Sequence, residues 1–293
     1  MTAYLLLALS VVLSTGRNVL SKNLSMVSFP SRPFFLCQGC LFVFGGITIL
    51  CIEGATPWRV SAATVGYAAI YGLCLILAQW FYTSALSSGN TSLCATVYSL
   101  GFIIPTLSGA VLWSEPFSFL DGSGILAATL AVIVSGLGKG GSEKEQRKGA
   151  KALYFLPLLI AMLSSGALGL IQKIQQQSPY ADEKPAFLII AFAFAATTSL
   201  IFAAFVKKPS SAPFTRVKLA IASLVGLVFG ACNMLNTTLA GMLDSAVLFP
   251  TLNLSIILLS TLAGAILFKE KIAWRECAVI LLGTASILLL NLG

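Results

Sequence analysis

No histidine occurs anywhere in the 293 residues, and acidic side chains are scarce, with 10 Asp and Glu against 18 Lys and Arg. The first absence removes zinc-protease HExxH sites and Ser-His dyads. No pair of aspartates falls in the middle of an apolar stretch, which removes an aspartyl mechanism. No Walker A sequence is present either, which argues against direct use of ATP. An enzyme is therefore not expected. Charge as a whole is depleted, at 10% of residues, where soluble domains average about 25%. The rest is apolar, 57% of the chain with a mean hydropathy of +0.93, so lipid is the expected solvent for most of the surface.

A helix that crosses a bilayer core of about 30 Å needs roughly 20 mainly apolar residues. Ten such stretches are found: Ala3 to Ser21, Phe34 to Ile52, Ala63 to Leu86, Ser92 to Trp113, Asp121 to Gly138, Ala152 to Gln172, Ala186 to Val206, Lys218 to Ala240, Ala246 to Phe268 and Trp274 to Leu292. Their continuous apolar character is not the alternation of a membrane barrel strand. The run Tyr4 to Leu13 lacks a preceding basic segment and is expected to be a retained first helix rather than a cleaved signal. The fold class expected is thus an all-α membrane protein of ten transmembrane helices.

The ten stretches read as two copies of five. Ser92 to Trp113, followed by Glu115, aligns without a gap on Val247 to Phe268, followed by Glu270, at an offset of 155 residues. Gly109-Ala110-Val111-Leu112 then falls on Gly264-Ala265-Ile266-Leu267, Thr96 on Thr251, Thr106 on Thr261 and Asp121 on Glu276. Leu13-Ser14-Thr15-Gly16 also matches Leu163-Ser164-Ser165-Gly166, and Pro33-Phe34-Phe35-Leu36 matches Pro185-Ala186-Phe187-Leu188. The units are residues 1–138 and 152–293, joined by a polar linker over residues 139–151. Five is odd, so the second unit enters the membrane from the opposite side. Such inverted repeats are a recurring plan of secondary transporters, with the substrate site near the midplane between them.

On these residues the chain resembles the ten-helix, EamA-type carriers of the drug/metabolite transporter superfamily. The marks are Glu115 and Glu270 closing the fourth helix of each unit, the Gly-rich fifth helices Gly122-Ser123-Gly124 to Gly138 and Cys277 to Gly293, and Gly16-Arg17-Asn18-Val19-Leu20-Ser21-Lys22 in the first helix. Four positions depart from the family pattern: Ser114 and Lys269 replace the glycine usual before each glutamate, the aromatic usual before Gly16 is absent, and Arg17 stands where a small residue is common. The resemblance implies a transport fold but not a cargo, because members move amino acids, nucleotide precursors, sugars, choline-like cations and drugs.

Polar groups inside the bilayer are costly and are therefore functional candidates. Arg17 lies roughly 21 Å along the first helix, where a central arginine costs about 2.5–3.5 kcal/mol. Two readings are open: it faces a central cavity and offers its planar fork to a carboxylate or phosphate, or it snorkels to the interface beside Lys22. Asn18 adjoins it. Gln79, Tyr82 and Thr83 share one face of the third helix. Asn233, Asn236 and Thr237 repeat that spacing on the eighth, at nearly equivalent positions. They line a shared cavity or bind helix to helix by hydrogen bonds. Tyr98 of the fourth helix aligns on Asn253 of the ninth. Gln172 and Gln175 close the sixth helix, at the interface or in a gate. The candidate substrate-binding set is Arg17, Asn18, Gln79, Tyr82, Tyr98, Asn233, Asn236, Thr237 and Asn253.

Elsewhere the ordinary structural roles are expected. Gly226 and Gly230 form a GxxxG suited to close helix packing. Cys37 and Cys40 form a CxxC pair that acts as small apolar filler. Glu115 and Glu270 are expected at helix ends, exposed or ion-paired. No metal and no cofactor is implied, and the +8 net charge is assigned to orientation rather than to nucleic acid. Fourteen of the 18 basic residues fall in loops after odd-numbered stretches, Lys22, Arg147, Lys207 and Lys271 among them. Positive loops face the cytoplasm, so both termini are expected outside. The expected partners are a small-molecule substrate and the lipid bilayer, with a monomer and a homodimer both open. The location expected is the bacterial inner membrane. No carboxylate lies mid-span, which disfavours a cationic drug or choline-like cargo relative to a neutral, zwitterionic or anionic metabolite. A channel or a non-transporting scaffold is the alternative to a carrier.

Overall fold

The computed structural model describes residues 2–21, 29–54, 60–88, 97–137, 151–206, 216–267 and 274–292, and over these it is all-helical. The polar linker at 139–150, Cys94, Thr96, Glu270 and most of the basic loop residues lie outside them. Ten α-helices are seen among the described residues: α1 Thr2–Ser21, α2 Arg32–Glu53, α3 Ala62–Ser88, α4 Ile103–Trp113, α5 Phe119–Leu137, α6 Lys151–Gln177, α7 Lys184–Phe205, α8 Arg216–Met242, α9 Ser245–Leu267 and α10 Trp274–Leu292.

Local chemistry sets these limits. Ser31 precedes α2 in extended conformation and its hydroxyl accepts from the amide of Phe34 at 3.3 Å, with proline in the first turn. This satisfies one of the donors a helix start leaves open. At the other end Gly54 turns the chain at φ 71°, where a residue with a Cβ would be strained. Ahead of α5, the Ser118 amide donates to Asp121 Oδ2 at 2.7 Å and the Asp121 amide to Ser118 Oγ at 3.1 Å. This reciprocal cap starts α5 two residues before the limit expected from the sequence.

The fourth stretch departs more. It is not one uninterrupted α-helix, because Leu100–Phe102 form a 3₁₀ turn before α4. Pro105 explains the break: it has no N–H for the Gly101 carbonyl and its ring crowds that carbonyl. At the far end of α4, Ser114 adopts a left-handed conformation, φ 52° and ψ 34°. This is the position where the resembled family carries glycine.

Packing runs mainly across the two halves of the chain. Helix α2 lies against α7 and α8, α3 against α6 and α7, α1 against α8 and α9, α4 against α6 and α9, and α5 against α10. Among the described residues, no two of α1 to α5 share more than an incidental contact. One core joins α2, α3, α7 and α8 through Phe34, Phe35, Phe42, Trp80, Phe187, Phe192 and Phe229, with Phe35 and Trp80 edge to face at 4.8 Å. Gly226 and Gly230 do pack closely. A Cβ on either would fall on the backbone carbonyl oxygen of Leu41 or Gly45 in α2.

Six helices, α1, α2, α3, α6, α7 and α8, are long and apolar enough to cross a membrane. The other four contribute shorter apolar stretches among the described residues. Large apolar side chains also crowd the outside, including Leu5, Ile70, Val111, Leu126, Phe205 and Leu281.

One end of the bundle is held by an ion pair. Lys173 Nζ lies 2.7 Å from Glu115 Oε1, with the two side chains only 2% and 9% exposed. Lys173 also donates to the Leu243 carbonyl at 2.9 Å, and Glu115 Oε2 accepts from the Ser245 amide at 2.7 Å. Lys173 thus belongs to α6 and is buried, rather than lying in a loop beyond it. The carboxylate sits against Gly109, where a Cβ would strike it.

Candidate functional site

A cavity of about 170 Å³ opens among α1, α3, α6, α8 and α9 and the short segment before α4. A buried water needs roughly 10–15 Å³ by the same kind of measure, so the space suits a small solute. Helix α1 contributes Ser14 and Arg17, α3 contributes Tyr71, Leu75, Ala78 and Gln79, and Tyr98 comes from the helical residues 97–99 that precede the turn. From the second half come Gln172 of α6, Phe229, Asn233 and Asn236 of α8, and Leu248, Phe249, Leu252, Asn253 and Ile256 of α9.

Six of the residues expected from the sequence are brought together here: Arg17, Gln79, Tyr98, Asn233, Asn236 and Asn253. Arg17 is half-buried, and its guanidinium carbon stands 4.7 Å from the centre of the Phe229 ring. Its fork makes one long hydrogen bond, 3.4 Å to Asn18 Oδ1, and no carboxylate among the described residues pairs with it. Asn18 itself does not line the cavity. It follows Arg17 by one residue, which is about 100° around the helix, and it is exposed. Tyr82 is also outside the lining, packed on Tyr98 with ring centroids 4.5 Å apart. Thr237 stands behind the wall, fully buried.

The cavity wall contains a network that the sequence reading missed. Tyr71 donates to Asn233 Oδ1 at 2.5 Å, and Gln172 Nε2 donates to Tyr71 Oη at 2.8 Å and to Thr237 Oγ1 at 3.0 Å. Asn233 Nδ2 closes on the Phe229 carbonyl at 2.8 Å. Three helices, α3, α6 and α8, are tied by groups that satisfy one another, so Asn233 and Thr237 act as interhelical ties, and Asn233 serves as cavity wall as well. Gln172 is buried in this network. One signal for Tyr71 was available: it precedes Gln79 by eight residues, and Leu75 lies four from each, so all three share a helical face.

Other polar groups retain capacity toward the cavity. Asn236 Oδ1 accepts from Ser10 at 2.5 Å, and Asn253 Nδ2 donates to the Phe249 carbonyl at 2.9 Å. The Asn236 amide nitrogen and the Gln79 side chain make no hydrogen bond among the described residues. The described lining thus presents hydrogen-bond donors and acceptors that can bind a polar solute.

Neither a protein-family model nor a curated protein matches the chain. The fold is nevertheless one seen experimentally. A solved crystal structure of a protein superposes with TM-score 0.77 at 19% identity, covering 100% of this chain and 99% of the other. At that identity the likeness speaks for the fold alone.

Proposed function

We propose that the protein is a multi-pass membrane carrier of a small polar metabolite, working by alternating access. The observation that carries this reading is the cavity between helices of both halves, lined by mid-helix polar side chains and a single arginine. The six long apolar helices and the apolar outer faces favour a bilayer as surroundings.

The helix contacts support the duplicated plan. When each helix is exchanged with the one five places away, the α2–α8 contact becomes α7–α3, α1–α8 becomes α6–α3, and α1–α9 becomes α6–α4, while α2–α7, α4–α9 and α5–α10 map onto themselves. Two inverted five-helix units related by a two-fold axis in the membrane plane give this pattern. A carrier so built can reach its second state when the halves trade conformations, which opens the cavity to the other side. This is also the architecture of the EamA-type carriers that the sequence resembles. The arginine and the amides suit a neutral, zwitterionic or anionic solute.

The test is exchange in proteoliposomes. Uptake of a labelled metabolite is expected to saturate and to rise when the same compound, unlabelled, is loaded inside. Flux that rises linearly with concentration would indicate a channel. No exchange across a panel of amino acids, organic acids and nucleosides would indicate a scaffold, and either result sinks the carrier reading.

The basic loops orient the chain with both termini outside a bacterial inner membrane. A single cysteine added after Gly293, in a chain cleared of its native thiols, is expected to react with an impermeant maleimide on intact cells. Reaction only after permeabilisation would reverse the orientation.

A further inference from the structure

We infer that the cavity is built for an organic monocarboxylate with an apolar body, its carboxylate on Arg17. This rests on the carrier reading above and narrows its substrate class.

Charge balance makes the first part of the case. Among the described residues Arg17 is the only charged side chain in the lining. Its guanidinium has five donors, of which one is used among the described residues, in a 3.4 Å contact to Asn18. A cation away from water without a counter-ion is costly, and the face of Phe229 offsets only part of that cost. A ligand that brings one negative charge completes the site. A cation would meet like charge. A doubly ionised phosphate would leave one charge unbalanced beside apolar walls.

The second part separates a monocarboxylate from a zwitterion. An amino acid also brings an ammonium group, which needs acceptors. The described lining offers no carboxylate for it, and the open amide oxygens of Gln79 and Asn253 are neutral, so the ammonium charge would stay unbalanced beside Arg17. The remaining donors, on Asn236 and Gln79, suit carboxylate oxygens instead. The third part is the wall: Leu248, Phe249, Leu252 and Ile256 of α9, with Leu75 and Leu168, offer no hydrogen bonds. An apolar body on the ligand would lie against these residues.

The experiment uses the purified full chain in detergent and four probes that share or lack a phenyl body: 3-phenylpropanoate, phenylalanine, phenethylamine and acetate. Binding is read by calorimetry and by ligand-induced rise in Tm. We expect 3-phenylpropanoate to bind wild type at least about tenfold more tightly than any of the other three. Arg17→Gln should lose about tenfold or more, while Arg17→Lys, which keeps the charge, should lose less. Both variants are first checked for a monodisperse profile and an unliganded Tm close to wild type. Equal binding of phenylalanine or phenethylamine, absence of 3-phenylpropanoate binding to wild type, or undiminished binding to Arg17→Gln would each overturn the inference. Exchange in proteoliposomes separates it from the carrier reading. Arg17-dependent binding without exchange leaves the ligand class standing and removes transport. Saturable exchange of phenylalanine with no preference for the carboxylate does the reverse.

Discussion

Replacing Lys173 with methionine is expected to destabilise the protein by about 3–5 kcal/mol, the range for breaking a buried ion pair from one side. The reason lies in what remains. Glu115 would keep the Ser245 amide, 2.7 Å from Oε2, but lose the ammonium group 2.7 Å from Oε1, and so would stay as a nearly buried charge. The Leu243 carbonyl would lose its donor as well. The effect belongs to the unpaired charge more than to the attraction, so the double variant Lys173→Met/Glu115→Gln should recover much of the loss. Glutamine keeps an acceptor for Ser245 without a charge. Thermal unfolding of the single and double variants in detergent measures this. A single variant that melts with wild type would mean that the carboxylate reaches water or takes up a proton, and the buried-pair account would fail.

A second large effect is expected from Gly230→Leu. A Cβ at that position would fall on the carbonyl oxygen of Gly45, with the Gly45 carbonyl carbon and Cα both at 2.9 Å. Backbone cannot rotate away as a side chain can, so α2 and α8 must move apart along the length that holds Phe42, Phe192 and Phe229 together. Overpacking of this kind costs about 1–3 kcal/mol and sometimes more. Gly66→Ala is the control, because a Cβ there meets nothing within 4 Å and alanine gains roughly 0.5–1 kcal/mol in a helix. The two variants should shift the melting temperature in opposite directions. A Gly230→Leu protein as stable as wild type would show that the contact between α2 and α8 is loose.

The helices were legible because their determinants are local. Apolar length, prolines and caps placed α10 at Trp274–Leu292 as expected and the other described limits within a few residues, apart from α4 and the C-terminal end of α6. Pro105 was visible, but its effect on the preceding turn depends on how the chain relieves the lost bond. At the site, mid-span cost and helical spacing singled out Arg17, Gln79, Asn233 and Asn236, which line the cavity. Adjacency to Arg17 also gave Asn18, and periodicity gave Tyr82, neither of which does. Periodicity fixes which residues of one helix share a face, not how that helix is rotated against its neighbours. The same limit hid the link from Tyr71 to Asn233, separated by 162 positions, and that from Gln172 to Tyr71, separated by 101. Glu115 was expected at a helix end, exposed or ion-paired, without a named partner, and the partner came from α6. No local pattern identifies a partner chosen by tertiary packing.

That α1 to α5 scarcely touch one another among the described residues has a consequence for how the protein is made. A ribosome delivers the first half before any of its partners exist. Those five helices must wait as separate segments, with Gly45 and the polar face of α3 still uncovered, until the second half arrives to be threaded among them. Maturation is therefore a late, concerted assembly rather than a stepwise growth, and the interval before the last helices emerge is when the chain is most open to capture by chaperones or proteases.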